Sequence, residues 1–296
     1  MTQILAEING TPQALLIHHL KQLKLPTFLR EHEKVAREAA QEGLDHPRYL
    51  LRLAELELID RERRMVERRI RAARFPAVKG LESFDFTAMP TLNKPLVLEL
   101  ARCEYVVARE NIIALGNSGT GKTHIALALG LAACQRGFPV AFTTAAGLVH
   151  QLMEAKDERR LLRLQAQLTA VKLLIVDELG YVPLSRTGAE LLFETLSQRH
   201  ERGATIVTSN LPFEEWTSIF ASERLTGALL DRLTHHVHIL CMAGTQSWCS
   251  ARSYRSTPTP LAYIAIQSTG ARLGSLEICL VFSAAMSNAF CRGQRR

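Results

Sequence analysis

Asn111-Ile112-Ile113-Ala114-Leu115-Gly116-Asn117-Ser118-Gly119-Thr120-Gly121-Lys122-Thr123 is the stretch that decides the fold. A run of buried-strand character, Asn111 to Leu115, feeds directly into the pattern G-x-x-x-x-G-K-T, and Ile125-Ala126-Leu127-Ala128-Leu129 follows as a strong helix former. Strand, glycine-rich loop and helix in that order make a phosphate-binding loop. Gly116, Gly119 and Gly121 let the backbone curl so that N–H groups converge on phosphate oxygens, and the helix N-terminus adds partial positive charge. Asn117, Ser118 and Thr120 complete the loop, Lys122 is placed to reach the β- and γ-phosphates, and the Thr123 hydroxyl to ligate Mg2+. Glycine spacing alone would permit a dinucleotide site, but Gly-Lys-Thr selects a nucleoside triphosphate with Mg2+, and ATP is the expected one.

Outward from the loop, short β-rich runs alternate with helical stretches: Asn111–Leu115, Val140–Thr143, Leu173–Val176, Thr205–Thr208 and Val237–Leu240. That alternation predicts an α/β fold, a parallel sheet flanked by helices. Leu173-Leu174-Ile175-Val176 ends in Asp177-Glu178, and acids at a strand's carboxyl end face the ligand crevice of such a sheet. Asp177 is expected to bind Mg2+ and Glu178 to polarise the attacking water as general base, which marks a hydrolase rather than a kinase. Thr205-Ile206-Val207-Thr208 ends in Ser209-Asn210, whose amide could hold that water or merely begin a turn before Leu211-Pro212. In Ser222–Leu233, Arg224 and Arg232 are either surface charges or a finger inserted into a neighbouring subunit's ATP, Arg232 being the first choice. His235, His236 and His238 lack carboxylate or cysteine partners and read as structural rather than metal-binding.

Before the sheet, residues 1–75 read as a small helical domain. Leu15, Leu16, Leu20, Leu23 and Leu25 recur at near-helical spacing up to Pro26; a second helix runs from Thr27 to Glu42, stopped by Gly43; a third begins after the cap Asp45-His46-Pro47 and continues to Arg74. Its end carries Arg61, Arg63, Arg64, Arg68, Arg69, Arg71 and Arg74 against Glu62 and Glu67. This is either a solvated, internally paired face or a surface for phosphates. The formal net charge of +7 and pI near 9.3 favour a polyanionic partner. The cysteines form no C-x-x-C pair, the first ten residues lack a signal-peptide pattern, and no stretch is long and apolar enough to span a membrane, so the expected location is cytoplasmic. Residues 241–296 differ in composition, with no Lys or Asp and Glu277 as the single acid, and read as an atypical, poorly ordered tail.

Together these residues resemble the IstB-like transposition helper ATPases of bacterial insertion sequences, relatives of DnaC-type helicase loaders in the AAA+ superfamily. The resemblance is carried by Arg71-Ala72-Ala73-Arg74-Phe75-Pro76, the Gly116–Thr123 loop, Ile175-Val176-Asp177-Glu178-Leu179-Gly180, Thr208-Ser209-Asn210-Leu211-Pro212, and Glu223–Leu233 with Thr234-His235-His236. It spans roughly residues 10 to 240. It implies a helical partner- or DNA-interacting domain, then an AAA+ ATPase domain over 76–240. It also implies homo-oligomers driven by ATP on double-stranded DNA, stimulating a cognate transposase. A helix around Leu148–Gln167, with Lys156, Arg159, Arg160 and Arg163, would take the place where initiator-type relatives face DNA backbone. Ser253-Tyr254-Arg255 lies outside the resemblance as read, and the ending after Leu240 reads as frameshifted or replaced. The alternative reading is a DnaC-like replicative helicase loader acting on single strands.

Overall fold

A computed structural model describes residues 12–220 and 222–242. The expected tail from residue 243 onward lies outside them. The chain divides into two compact units, Met1–Ala73 and Arg74–Arg296.

The first unit is helical: α1 (Pro12–Gln22), α2 (Pro26–Glu42) and α3 (His46–Ala73). Pro26 opens α2 at a position where a missing N–H costs nothing, and Gly43 closes it in the left-handed region at φ 68°. Asp45 caps α3, its carboxylate accepting the Arg48 N–H at 3.0 Å. Between α2 and α3 lies a polar knot. The Thr27 N–H and the Arg61 and Arg64 guanidinium groups all donate to buried Glu57, while the Thr27 hydroxyl and Arg63 donate to Asp60. Burial pushes the Glu57 carboxyl up, yet the Thr27 and Arg64 hydrogen bonds outweigh it and leave the group below its ordinary value. The arginine-rich end of α3 therefore splits. Arg61, Arg63 and Arg64 are engaged with acids of their own helix, whereas Arg68, Arg69, Arg71 and Arg74 have no ion pair among the described residues.

The second unit begins with α4 (Lys94–Leu100) and α5 (Glu104–Ala108), which precede the alternating part: β1 (Asn111–Leu115), α6 (Lys122–Gln135), β2 (Val140–Thr144), α7 (Ala145–Asp157), α8 (Leu161–Ala170), β3 (Leu173–Leu179), α9 (Arg186–Arg199), β4 (Ala204–Ser209), α10 (Trp216–Phe220), α11 (Glu223–Thr234) and β5 (Val237–Cys241). Among the described residues five strands form one parallel sheet, in the order β2-β3-β4-β1-β5. β1 lies between β4 and β5, so the loop that leaves it opens into the crevice at the carboxyl ends of the central strands. The sheet is covered on both faces, as a parallel sheet must be. Ile113, Leu115, Leu174, Val176 and Val207 join one core with α7, α9, α10 and α11. Ile175, on the alternate face of β3, packs against Gly130 of α6. Asn111 ties three elements at the base: its amide donates to Leu233 O and accepts the Thr205 N–H, each at 3.1 Å.

The single helix expected over Leu148–Gln167 is two. α7 ends at Asp157 and α8 starts at Leu161, with Arg159 left-handed at φ 59°. Arg160 N bonds Ala155 O and Arg159 N bonds Lys156 O, the paired bonds that close a helix C-terminus. Arg199 holds the far end of α8. Its buried guanidinium donates to Leu168 O, Val171 O (3.0 Å), Ala204 O (2.7 Å) and Thr205 Oγ1 (3.4 Å), and burial pushes its pKa down to about 10. Among the described residues, no helix is long and apolar enough to cross a membrane.

Candidate active site

The phosphate loop departs from β1 and ends where α6 begins. Gly116 has no room for a side chain, since a Cβ there would stand 2.3 Å from the Met242 carbonyl oxygen. Gly121, at φ 89°, would press a Cβ to 2.7 Å from the Phe84 ring. The Lys122 ammonium folds back over the loop, donating to Gly116 O and Asn117 O at 2.7 Å each. Burial lowers the Lys122 pKa, and the nearby Asp177 and Glu178 carboxylates oppose that shift.

A cavity of about 310 Å³ opens over the loop, and Ser118, Gly119, Gly121, Lys122, Thr123, Glu178 and Asn210 line it. Residues from three separate sequence regions thus meet in one cleft. The Thr123 hydroxyl sits 3.0 Å from both oxygens of Asp177, which is 3 % exposed. A hydroxyl and a carboxylate this close are the hard oxygen donors that suit Mg2+ beside a substrate's phosphates, so the residues fit that ion. Glu178 is exposed to the cleft and left-handed at φ 59°, a conformation an L-residue holds only when its surroundings impose it. The Asn210 Oδ1 is buried with no hydrogen-bond partner among the described residues, as expected of an amide whose partner is a ligand or a water in the cleft.

Arg232 is not in this cleft. It donates to Ser197 Oγ and lies 5.0 Å above the Phe193 ring, both on α9. Arg224, exposed on the same helix α11, has no ion pair or hydrogen bond among the described residues. His238 bonds the Glu110 carboxylate at 2.7 Å, a partner not expected from sequence, and no group of three or more His, Cys, Asp or Glu side chains is placed to hold a metal among the described residues.

Several contributors were missed from sequence. Thr208 donates to Asp177 Oδ1 at 2.5 Å and accepts the Glu178 N–H at 2.9 Å. Ser209, its neighbour, donates to Leu179 O at 2.7 Å and accepts the Leu211 N–H at 3.1 Å. The signal for both was a pair of hydroxyl residues at the tip of a fully buried strand, where each must find a partner. Lys79 and Tyr181 also line the cavity, and His124 bonds Gly80 O at 3.0 Å, tying the segment before α4 to the loop's helix.

The chain's residues 18–255 match the family described as IstB-like ATP binding protein. It belongs to that family. The IstB-like match also corrects the reach of the resemblance, which runs on past Leu240 and takes in Ser253-Tyr254-Arg255. The insertion sequence IS21 ATP-binding protein of Pseudomonas aeruginosa is 40% identical over 225 residues, covering 76% of this chain and 85% of that one. The corresponding protein of insertion sequence IS5376 from Geobacillus stearothermophilus is 34% identical, with coverage of 75% and 89%. Among solved structures, AMPPCP-bound DnaA from Aquifex aeolicus aligns at a TM-score of 0.47 and 20% identity, over 56% of this chain and 50% of that one. The DnaC helicase loader aligns at 0.42 and 20%, over 50% and 89%. Structural likeness at this level carries no functional argument. The IstB-like chain is an ATP-binding protein of P-loop α/β fold, and its relatives named above are insertion-sequence proteins.

Proposed function

We propose that this protein hydrolyses ATP and uses the cycle to assemble on duplex DNA and assist a transposase in target selection and transposition. The observation that carries the hydrolytic part is the convergence of Lys122, the Thr123–Asp177 pair, Glu178 and the orphan amide of Asn210 on one cleft. The loop's N–H groups and the α6 N-terminus hold the triphosphate, and Lys122 leaves its carbonyl partners for the β- and γ-phosphates. Mg2+, held by Thr123 and Asp177, would neutralise phosphate charge. Glu178 takes the proton of the attacking water, and Asn210 orients that water by hydrogen bonding. Support for the transposition part is the family itself, whose relatives carry insertion-sequence names. Arg68, Arg69 and Arg71, without ion pairs among the described residues, are the proposed contribution of the helical domain to DNA backbone contact.

The trans-acting arginine is proposed on α11. Arg232 has to release Ser197 and Phe193 to serve, whereas Arg224 has nothing to release. The deciding experiment measures phosphate release and assembly state together, with and without duplex DNA, and captures transposase against replicative helicase. A chain that stays monomeric and inactive with ATP, Mg2+ and duplex DNA would refute the proposal. Preferential capture of a hexameric helicase would replace it with the loader reading.

A further inference from the structure

β3 and β4 do not pair evenly. Val176 faces Val207 and the ladder resumes with Leu179 opposite Ser209, so Asp177 and Glu178 stand against Thr208 alone. Two residues opposite one is a bulge, and the strand's own ladder cannot serve both. A hydroxyl offers one donor and two acceptor positions. Thr208, 1 % exposed, uses its donor on Asp177 Oδ1 and an acceptor position on the Glu178 N–H. Ordinary alternation would send neighbouring side chains to opposite faces of the sheet. Here Glu178, turned left-handed, lines the cleft while Asp177 stays against Thr123.

We infer that Thr208 is a positioning residue for both acids: its single hydroxyl, in place of strand pairing, fixes the Asp177 carboxylate toward Thr123 and the Glu178 backbone toward the cleft. The inference rests on the proposed hydrolytic reading of the site. Among the described residues, Thr123 and Thr208 are the side-chain donors to Asp177. With the Thr123 hydroxyl given over to a bound ion, Thr208 would be the donor that keeps the carboxylate in place. Partners of this kind tune a ligand without touching the ion.

The test compares Thr208→Val, which loses the hydroxyl and keeps the shape, with Thr208→Ser, which keeps the hydroxyl. A fluorescent ATP analogue is titrated with Mg2+, and ATP turnover is measured separately. In T208V the half-saturating Mg2+ concentration should rise about tenfold. Turnover should fall about 100-fold from the misplaced Glu178. Analogue affinity without Mg2+ should stay within about twofold, because the phosphate loop's own donors are untouched. T208S should restore both quantities. If T208V fails to fold, Thr208→Ala against T208S isolates the hydroxyl, since both lack the methyl. A wild-type Mg2+ titration in T208V overturns the inference, and so does a T208S as defective as T208V. Should wild-type protein bind the analogue with Mg2+ yet hydrolyse nothing, the proposed function fails while the titration still reads Thr208.

Discussion

Glu178 and Lys122 have different proposed roles at the cleft, and substitution separates them. Glu178→Gln removes the proposed base but keeps the shape, so ATP binding should persist while turnover falls roughly 10²–10⁴-fold. Filter binding of labelled ATP beside a phosphate-release assay checks both halves. Lys122→Ala should instead abolish nucleotide-dependent assembly, seen as loss of the ATP-induced shift in light scattering. A variant that still assembles with ATP would place the phosphate contact elsewhere. At this scale the sequence pointed to candidates wherever chemistry demands a residue type at a fixed spacing: Gly116–Thr123 and Asp177-Glu178 stood out, and the fold brings Lys122, Thr123 and Glu178 to one cleft. Thr208 was not readable. A threonine in a buried strand looks like ordinary β-former packing until the irregular pairing of β3 with β4 is known.

Elements were legible to the extent that their signals were local. Pro26, Gly43 and Asp45 set the ends of α2 and α3 through φ restriction, left-handed closure and side-chain capping. The break between α7 and α8 had no such marker. Met153 to Gln165 is built of helix formers, and the left-handed residue is Arg159, not glycine. The helix ends there because α8 must turn to pack, a tertiary demand that overrides local propensity. Arg159→Gly should therefore stabilise the corner by about 1 kcal/mol, the left-handed penalty of an L-residue. Arg199→Met should act in the opposite sense. It leaves the carbonyls of Leu168, Val171 and Ala204 without their donor, and roughly 2–4 kcal/mol should be lost. Denaturant unfolding followed by tryptophan fluorescence measures both, and an Arg199→Met midpoint at the wild-type position would show that water replaces the guanidinium.

The molecule as a whole carries a pH dependence in its helical unit. Glu57 titrates below its ordinary value in the folded chain, and Asp60, hydrogen-bonded by Arg63 and Thr27, does likewise. A depressed carboxylate stabilises fully above its unfolded pKa, about 4. That contribution disappears as pH falls through the lower, folded value. Amide-exchange protection at Val35 and Leu53, taken against the intrinsic rate at each pH, should accordingly fall below about pH 4. Glu57→Gln should flatten that acid limb, whereas an unchanged limb would assign it to other carboxylates. The second unit has a different dependency, set by where the chain leaves its last strand. Met242 donates its N–H to Leu115 O at 2.7 Å, and its carbonyl fills the space beside Gly116. The exit from β5 is thus the outer wall of the nucleotide's cradle. For anyone trimming or splicing this gene, a stop codon placed after Leu240 would remove no side chain of the proposed site and still unframe the loop.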